Sequence, residues 1–256
     1  MSDVTRSGLS IHFEVEGSGE PLVLLHGALA SLETWRMEGL VPEVASQFRL
    51  VLIDLRGHGR SDKPHDPVAY LISEQVADVV AVLDEIGIAS AHVCGFSLGA
   101  LVAVRLAAEH PARVRSLVTI GLPPWNLGFD DVPRRPAEVD WAEDLEQHGM
   151  AGMIESATAE GRMGWAAMFR DSDPLAMAAL LREADLEPAV SGFLIGDLAL
   201  PMTCLWGERD AEPMAPLPPQ ARVIIVPGAD HVGPLHDPAG LATAIREQAS
   251  AASITA

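Results

Sequence analysis

The sequence predicts an α/β protein: a mostly parallel β-sheet flanked by helices and interrupted part-way by a helical segment. Three observations carry this. Short continuous apolar runs such as PLVLLHG and AHVCGF alternate with helical stretches, the pattern of parallel strands buried on both faces beneath helices. The alternation stops after Gly121, and no convincing buried strand recurs before Gly196. It then resumes with PMTCLWG and ARVIIVPG and closes on a helix.

The elements follow in order. LSIHFEVEG alternates apolar and polar residues, so it reads as an antiparallel strand near a sheet edge. PLVLLHG is a buried parallel strand ending in Gly27, followed by a helical stretch from about Ser31 to Gln47. FRLVLIDLRGHGRSD is another apolar strand closing in a glycine-rich turn. ISEQVADVVAVLDEIG places Val76, Val79, Val80, Leu83 and Ile86 at helical spacing, with Gly87 as its stop. AHVCGF is strand, SLGALVAVRLAAEHP helix and VRSLVTIG strand. Residues 122–196 carry helical segments, among them VDWAEDLEQHG, MAGMIESATAEG and DPLAMAALLREADL, and the last helix runs from about Pro238 to Ala249.

A chain of 256 residues suits one large domain, or one domain with a sizeable insert. With 48% hydrophobic and 21% charged residues it has the composition of a globular protein. The formal net charge of −19, with Lys63 the single lysine, repels phosphate backbones and anionic lipid, which argues against nucleic acid and membrane surfaces as partners. The N-terminus lacks a basic segment followed by an apolar core, and no apolar run approaches the roughly 20 residues that cross a bilayer. Two cysteines, Cys94 and Cys204, cannot form a disulfide framework and read as buried thiols, so the expected location is a reducing cytoplasm.

Ser97 stands at a strand-to-helix junction with a glycine two positions away on each side, Gly95-Phe96-Ser97-Leu98-Gly99. A serine hydroxyl is a weak nucleophile at neutral pH; it needs a base and donors for the oxyanion it creates. A sharp strand–turn–helix lifts the hydroxyl clear of the sheet, and glycines remove the β-carbons that would clash there. The base is expected on a loop past the carboxyl end of a later strand. VIIVPGADHVGPLHDP offers His231, which follows the strand more directly, and His236 as its rival. CLWGERDAEP offers Glu208 and Asp210 to orient the imidazole, with Asp210 favoured because it lies further into the turn. The oxyanion donors would be the N–H groups of Leu98 and Ala28, with His26 holding the loop.

Together HGALAS (His26–Ser31), DLRGHGRSD (Asp54–Asp62), GFSLG (Gly95–Gly99), GERD (Gly207–Asp210) and GADH (Gly228–His231) resemble the α/β-hydrolase fold family over nearly the whole chain. The resemblance implies an eight-stranded, mostly parallel sheet with a helical cap after the sixth strand. Residues 1–121 and 197–256 would form the core and 122–196 the cap. It implies Ser97 as nucleophile, Asp210 as acid, His231 as base, and Ala28 and Leu98 as the oxyanion hole. It gives the DLRGHGRSD turn, with Arg56 and His58, a structural role. It also separates the strands of Cys94 and Cys204 by another strand, too far for a disulfide. Haloalkane dehalogenases and epoxide hydrolases of this family carry aspartate at the nucleophile position, where this chain has Ser97. Ring-cleavage C–C hydrolases usually have asparagine before the tryptophan, where Thr34 precedes Trp35. Cofactor-free perhydrolases often carry proline where Leu29 stands, enol-lactonases often asparagine in place of His26, and many members glutamate in place of His236.

The expected function is a serine esterase acting on small-molecule apolar esters, as a monomer or homodimer, with no metal or cofactor. Lactone opening by the same triad is the alternative, and a small-molecule receptor that kept the fold a third reading. Trp125, Trp165 and Met168 are the expected pocket residues of the cap.

Overall fold

The computed structural model describes residues 2–122, 136–183, 195–210 and 217–255. Eight strands form one sheet: β1 (Ser2–Arg6), β2 (Leu9–Gly17), β3 (Glu20–Leu25), β4 (Phe48–Ile53), β5 (Ala91–Phe96), β6 (Val114–Ile120), β7 (Met202–Gly207) and β8 (Arg222–Val226). Their spatial order is β1-β2-β4-β3-β5-β6-β7-β8. The pairs β1/β2 and β2/β4 are antiparallel, and every pair from β4 to β8 is parallel.

The strand period of two divides the core between the two faces of the sheet. Val23 and Leu25, with Val51 and Ile53, pack among residues of α3 (Ile72–Glu85) and α4 (Leu98–Glu109). Leu22 and Leu24, with Leu50 and Leu52, face the other way, toward α1 (Thr34–Met37), α2 (Leu40–Val44) and α9 (Pro238–Thr255). All eight of these strand side chains are buried. Each removes apolar surface worth roughly 1.5–3 kcal/mol from water, and that burial fixes which face each strand shows to which helices.

Gly87 ends the helical run as expected, at φ +68°, with the Ile88 N–H donating to the Leu83 carbonyl. The helical stretch expected from about Ser31 to Gln47 holds two short helices, α1 and α2. Gly39, at φ +81°, turns the chain between them. The strand read near an edge, β2, is second from the edge; the outermost strand is β1, which sequence reading left unassigned. It is short and polar, and charge fastens it. Arg6 Nε donates to Asp78 Oδ1 at 2.7 Å, and the same guanidinium pairs with Glu74. Asp78 Oδ2 also accepts from the buried Arg56 Nε at 2.7 Å.

Between β6 and β7 lie α5 (Pro136–His148), α6 (Ala151–Ala159), α7 (Met163–Asp171) and α8 (Pro174–Glu183). Of these, α7 adds to the three helical segments read from the sequence. The final helix runs on to Thr255. Cys94 on β5 and Cys204 on β7 are free and buried, with β6 between them. Burial pushes both thiols upward, Cys204 to about 12. Among the described residues no helix is long and apolar enough to cross a membrane.

Candidate active site

Ser97 follows β5 and precedes α4, with φ +51° and ψ −113°. A left-handed backbone is costly for a residue with a β-carbon. Here the surroundings impose it: the Ser97 N–H donates to the Ile120 carbonyl at 2.9 Å, and its own carbonyl accepts from Ala100 and Leu101. The flanking glycines have a spatial cause. A β-carbon on Gly95 would stand 2.3 Å from the Gly99 carbonyl oxygen, and one on Gly99 would stand 2.1 Å from that of Leu25. The turn therefore closes on itself and lies against the end of β3.

The loops after β7 and β8 meet above this turn. The Arg209 N–H donates to the Ala229 carbonyl at 2.9 Å, and a β-carbon on Gly207 would lie 2.2 Å from the Asp230 carbonyl oxygen. Asp210 and His231 come together there. His231 Nδ1 is 2.7 Å from Asp210 Oδ2, and His231 Nε2 is 3.0 Å from Ser97 Oγ. An ionised carboxylate only accepts, so Nδ1 carries the proton and donates to it, which leaves Nε2 to accept from the Ser97 hydroxyl. The His231 side chain is 35% exposed and the Asp210 side chain 11%, so the hydrogen-bonded chain opens at His231 and is sheltered at Asp210.

The rival residues lie elsewhere. His236 is half-exposed on a 3₁₀ turn, with Nε2 3.7 Å from Glu38 Oε2. The Glu208 carboxylate accepts from the Gly228 N–H at 2.7 Å and so ties the two loops together.

The loop after β3 runs beside the serine, since a β-carbon on Gly27 would lie 3.2 Å from Ser97 Cβ and 2.7 Å from the Phe96 ring. Among the described residues neither the Ala28 nor the Leu98 N–H has a hydrogen-bond acceptor, whereas the neighbouring Leu29 N–H donates to His58 Nε2 at 3.1 Å. Leu29 is held at φ +62°. His58 Nδ1 in turn donates to the Arg56 carbonyl at 3.0 Å. His26 donates from Nδ1 to the Gly27 carbonyl at 2.7 Å and accepts from the Leu55 N–H at 3.0 Å. Both rings are buried and neutral. Desolvation pushes His26 down to about 4, and desolvation followed by the proximity of His26 pushes His58 down to about 3. Asp54 is buried under the same loop, accepting from the Leu32 and Arg60 N–H groups, and burial is the largest influence raising it.

Of the expected pocket residues, Trp125 lies outside the described residues. Trp165 and Met168 are on α7. Trp165 is buried, with Nε1 donating to Glu38 Oε1 at 3.1 Å. Met168 Sδ accepts from Ser31 Oγ at 3.5 Å and Thr34 Oγ1 at 3.6 Å, and it lines a cavity of about 290 Å³ with Ala30, Ser31 and Ser172. Both side chains tie α7 to the segment after β3.

Sequence reading left three contacts around the site unseen. His58 grips Leu29, the Phe96 ring packs on His231 with centroids 5.2 Å apart, and Gly121 lies against the same imidazole. The DLRGHGRSD motif pointed to His58 as structural without saying what it holds.

Comparison with known proteins places the fold. The alpha/beta hydrolase fold family matches residues 20–145. A pimeloyl-(acyl-carrier protein) methyl ester esterase of Edwardsiella ictaluri is 32% identical over 265 residues, covering 93% of this chain and 96% of that enzyme. The chain belongs to the alpha/beta hydrolase fold family. Other relatives match this chain over part of their length. The Aeromonas hydrophila esterase of the same name is 38% identical over 49% of the chain and 46% of that enzyme. Epoxide hydrolase B of Mycobacterium tuberculosis is 42% identical over 46% of the chain and 33% of that enzyme. Among solved structures, the enol-lactonase of Burkholderia xenovorans LB400 superposes with a TM-score of 0.80 at 21% identity, covering 97% of this chain and all of that one. At that identity the likeness is one of fold.

Proposed function

We propose that this hydrolase is a serine esterase that cleaves small to medium apolar carboxylic esters through an acyl-enzyme, in the cytoplasm. The observation that carries the reading is the continuous hydrogen-bonded chain from Ser97 Oγ through His231 to Asp210.

Ser97 Oγ attacks the ester carbonyl carbon as its proton passes to His231 Nε2. Negative charge gathers on the former carbonyl oxygen, to which the Ala28 and Leu98 N–H groups donate; one such donor is worth about 2.7–4 kcal/mol in the transition state. Asp210 stabilises the imidazolium and keeps the Nδ1–H tautomer. His231 then gives its proton to the departing alkoxide, leaving an acyl-Ser97. Water, deprotonated by His231, attacks that acyl group, and collapse returns the serine and releases the carboxylic acid.

In this reading residues 1–121 and 197–256 are the catalytic core and 122–196 a helical cap. Trp125, Trp165 and Met168 are its candidate substrate residues. The epoxide hydrolases among the relatives suggest a different reaction. Ser97 at the nucleophile position favours ester cleavage, because an acyl-serine is relieved by water at its carbonyl, whereas an alkyl ether to serine has no carbonyl to attack. A lactone is an internal ester and is open to the same chemistry.

The test is turnover of p-nitrophenyl acetate and butyrate beside a lactone panel, with fluorophosphonate labelling. Ser97→Ala is expected to lower turnover by at least about 10³-fold and to abolish labelling, with the melting temperature little changed. Full turnover by Ser97→Ala overturns the proposal.

A further inference from the structure

The end of β6 touches the imidazole where no side chain is present to do so. Gly121, the residue after β6, is buried at φ +54°, and its N–H donates to the Leu205 carbonyl at 2.9 Å. A β-carbon there would stand 2.8 Å from His231 Cε1 and 3.0 Å from Nδ1, closer than packed carbon and nitrogen atoms approach. Cε1 lies between the two ring nitrogens, one bonded to Asp210 and the other to Ser97. The Phe96 ring, 5.2 Å away, also packs on the imidazole. The strand end is bonded into the middle of the sheet, between β5 and β7, while His231 sits on a loop. A methyl group at position 121 is thus relieved by moving the ring, and any such movement alters both of its hydrogen bonds.

We propose that Gly121 is a positioning residue for His231: the missing side chain makes the space in which the imidazole reaches Ser97 and Asp210 together. This rests on the serine-hydrolase reading above. It assigns a specific task to a glycine outside the five motifs that carry the family resemblance. Displacement of a reacting group by about 1 Å costs on the order of 10²-fold in rate. The cost falls on proton transfer rather than on substrate binding.

Alanine at position 121 also meets an unfavourable left-handed backbone, and Gly87 supplies the control. It has φ +68° with nothing within 4 Å of its would-be β-carbon, so Gly87→Ala carries the backbone cost without the contact. The experiment compares kcat, KM, pH–rate profile and melting temperature of Gly121→Ala, Gly87→Ala and the parent on p-nitrophenyl butyrate. Both variants are expected to melt a few degrees lower. Gly121→Ala alone is expected to lose kcat by roughly 30- to 100-fold, with KM within about twofold and an altered pH–rate profile. Asparagine tolerates the left-handed region, so Gly121→Asn brings in the same β-carbon if the alanine variant does not fold. In a His231→Ala background, Gly121→Ala is expected to lower the residual rate by less than about twofold, because neighbours acting through one group are not additive.

A folded Gly121→Ala or Gly121→Asn protein with kcat within threefold of the parent overturns the proposal, as does an equal kcat loss in Gly87→Ala. Ser97→Ala separates the two readings. If it retains turnover, the serine mechanism itself falls. If it is inactive while the Gly121 variants are fully active, only the role of Gly121 falls.

Discussion

Two neutral histidines lie under the loop after β3, and they make stability depend on pH. Folded His26 and His58 hold their pKa near 4 and near 3, against about 6.5 in an unfolded chain. Above pH 6.5 neither state binds the proton. Below it the unfolded chain does and the folded one does not, so stability present above 6.5 is lost as pH falls toward 4 and then 3. At pH 5 these two rings account for an uptake of roughly two protons on unfolding. His58→Asn is expected to reduce the uptake by about one proton, measured from the pH dependence of the urea-unfolding free energy; an unchanged uptake would refute the assignment. That Ser97, Asp210 and His231 converge was legible because the chemistry demands those residue types just past strand ends, in one chain order. The grip of His58 on Leu29 was not, because a leucine at positive φ has no signature in sequence. Nor was the contact of Gly121 with His231, since an absent side chain announces nothing.

At the level of elements, α7 is joined to the rest of the molecule through Glu38. This carboxylate accepts from Trp165 Nε1 and faces His236, which belongs to the loop carrying His231. Glu38→Ala leaves a buried indole N–H without its acceptor, a loss of about 1–3 kcal/mol. The expected outcome is a lower melting temperature with a shifted tryptophan emission maximum, and a smaller effect for Glu38→Gln, which keeps an acceptor. Equal effects of the two substitutions would show that the indole hydrogen bond is not what holds α7. The central strands were readable because burial on both faces leaves an unbroken apolar run. β1 was not, because it is held by ladder bonds and by Arg6 rather than by a buried face. The break between α1 and α2 depends on one glycine inside an otherwise helical pattern, and a glycine alone does not say whether a helix bends, ends or continues.

For the whole molecule the governing quantity is its charge. Acidic side chains number 36 and basic ones 17, a net of −19. Many arginines are already committed to ion pairs, among them Arg6, Arg36 and Arg56. The remaining acids repel one another and any anion that approaches. Raising salt from about 10 to 100 mM shortens the screening length from about 30 to 10 Å. The melting temperature is therefore expected to rise, and kcat/KM for an ester bearing a free carboxylate to rise relative to a neutral one. A neutral and an anionic ester with the same salt response would rule out this account of selectivity.

The backbone at Ser97 bears on the molecule's robustness as well as on its chemistry. Serine occupies there a conformation in which glycine is at ease, so Ser97→Gly is expected to unfold no more readily than Ser97→Ala. On the proposed mechanism, a lineage selected for heat resistance alone, with turnover unmonitored, would drift toward glycine at this one position and arrive at a sturdier protein without its nucleophile.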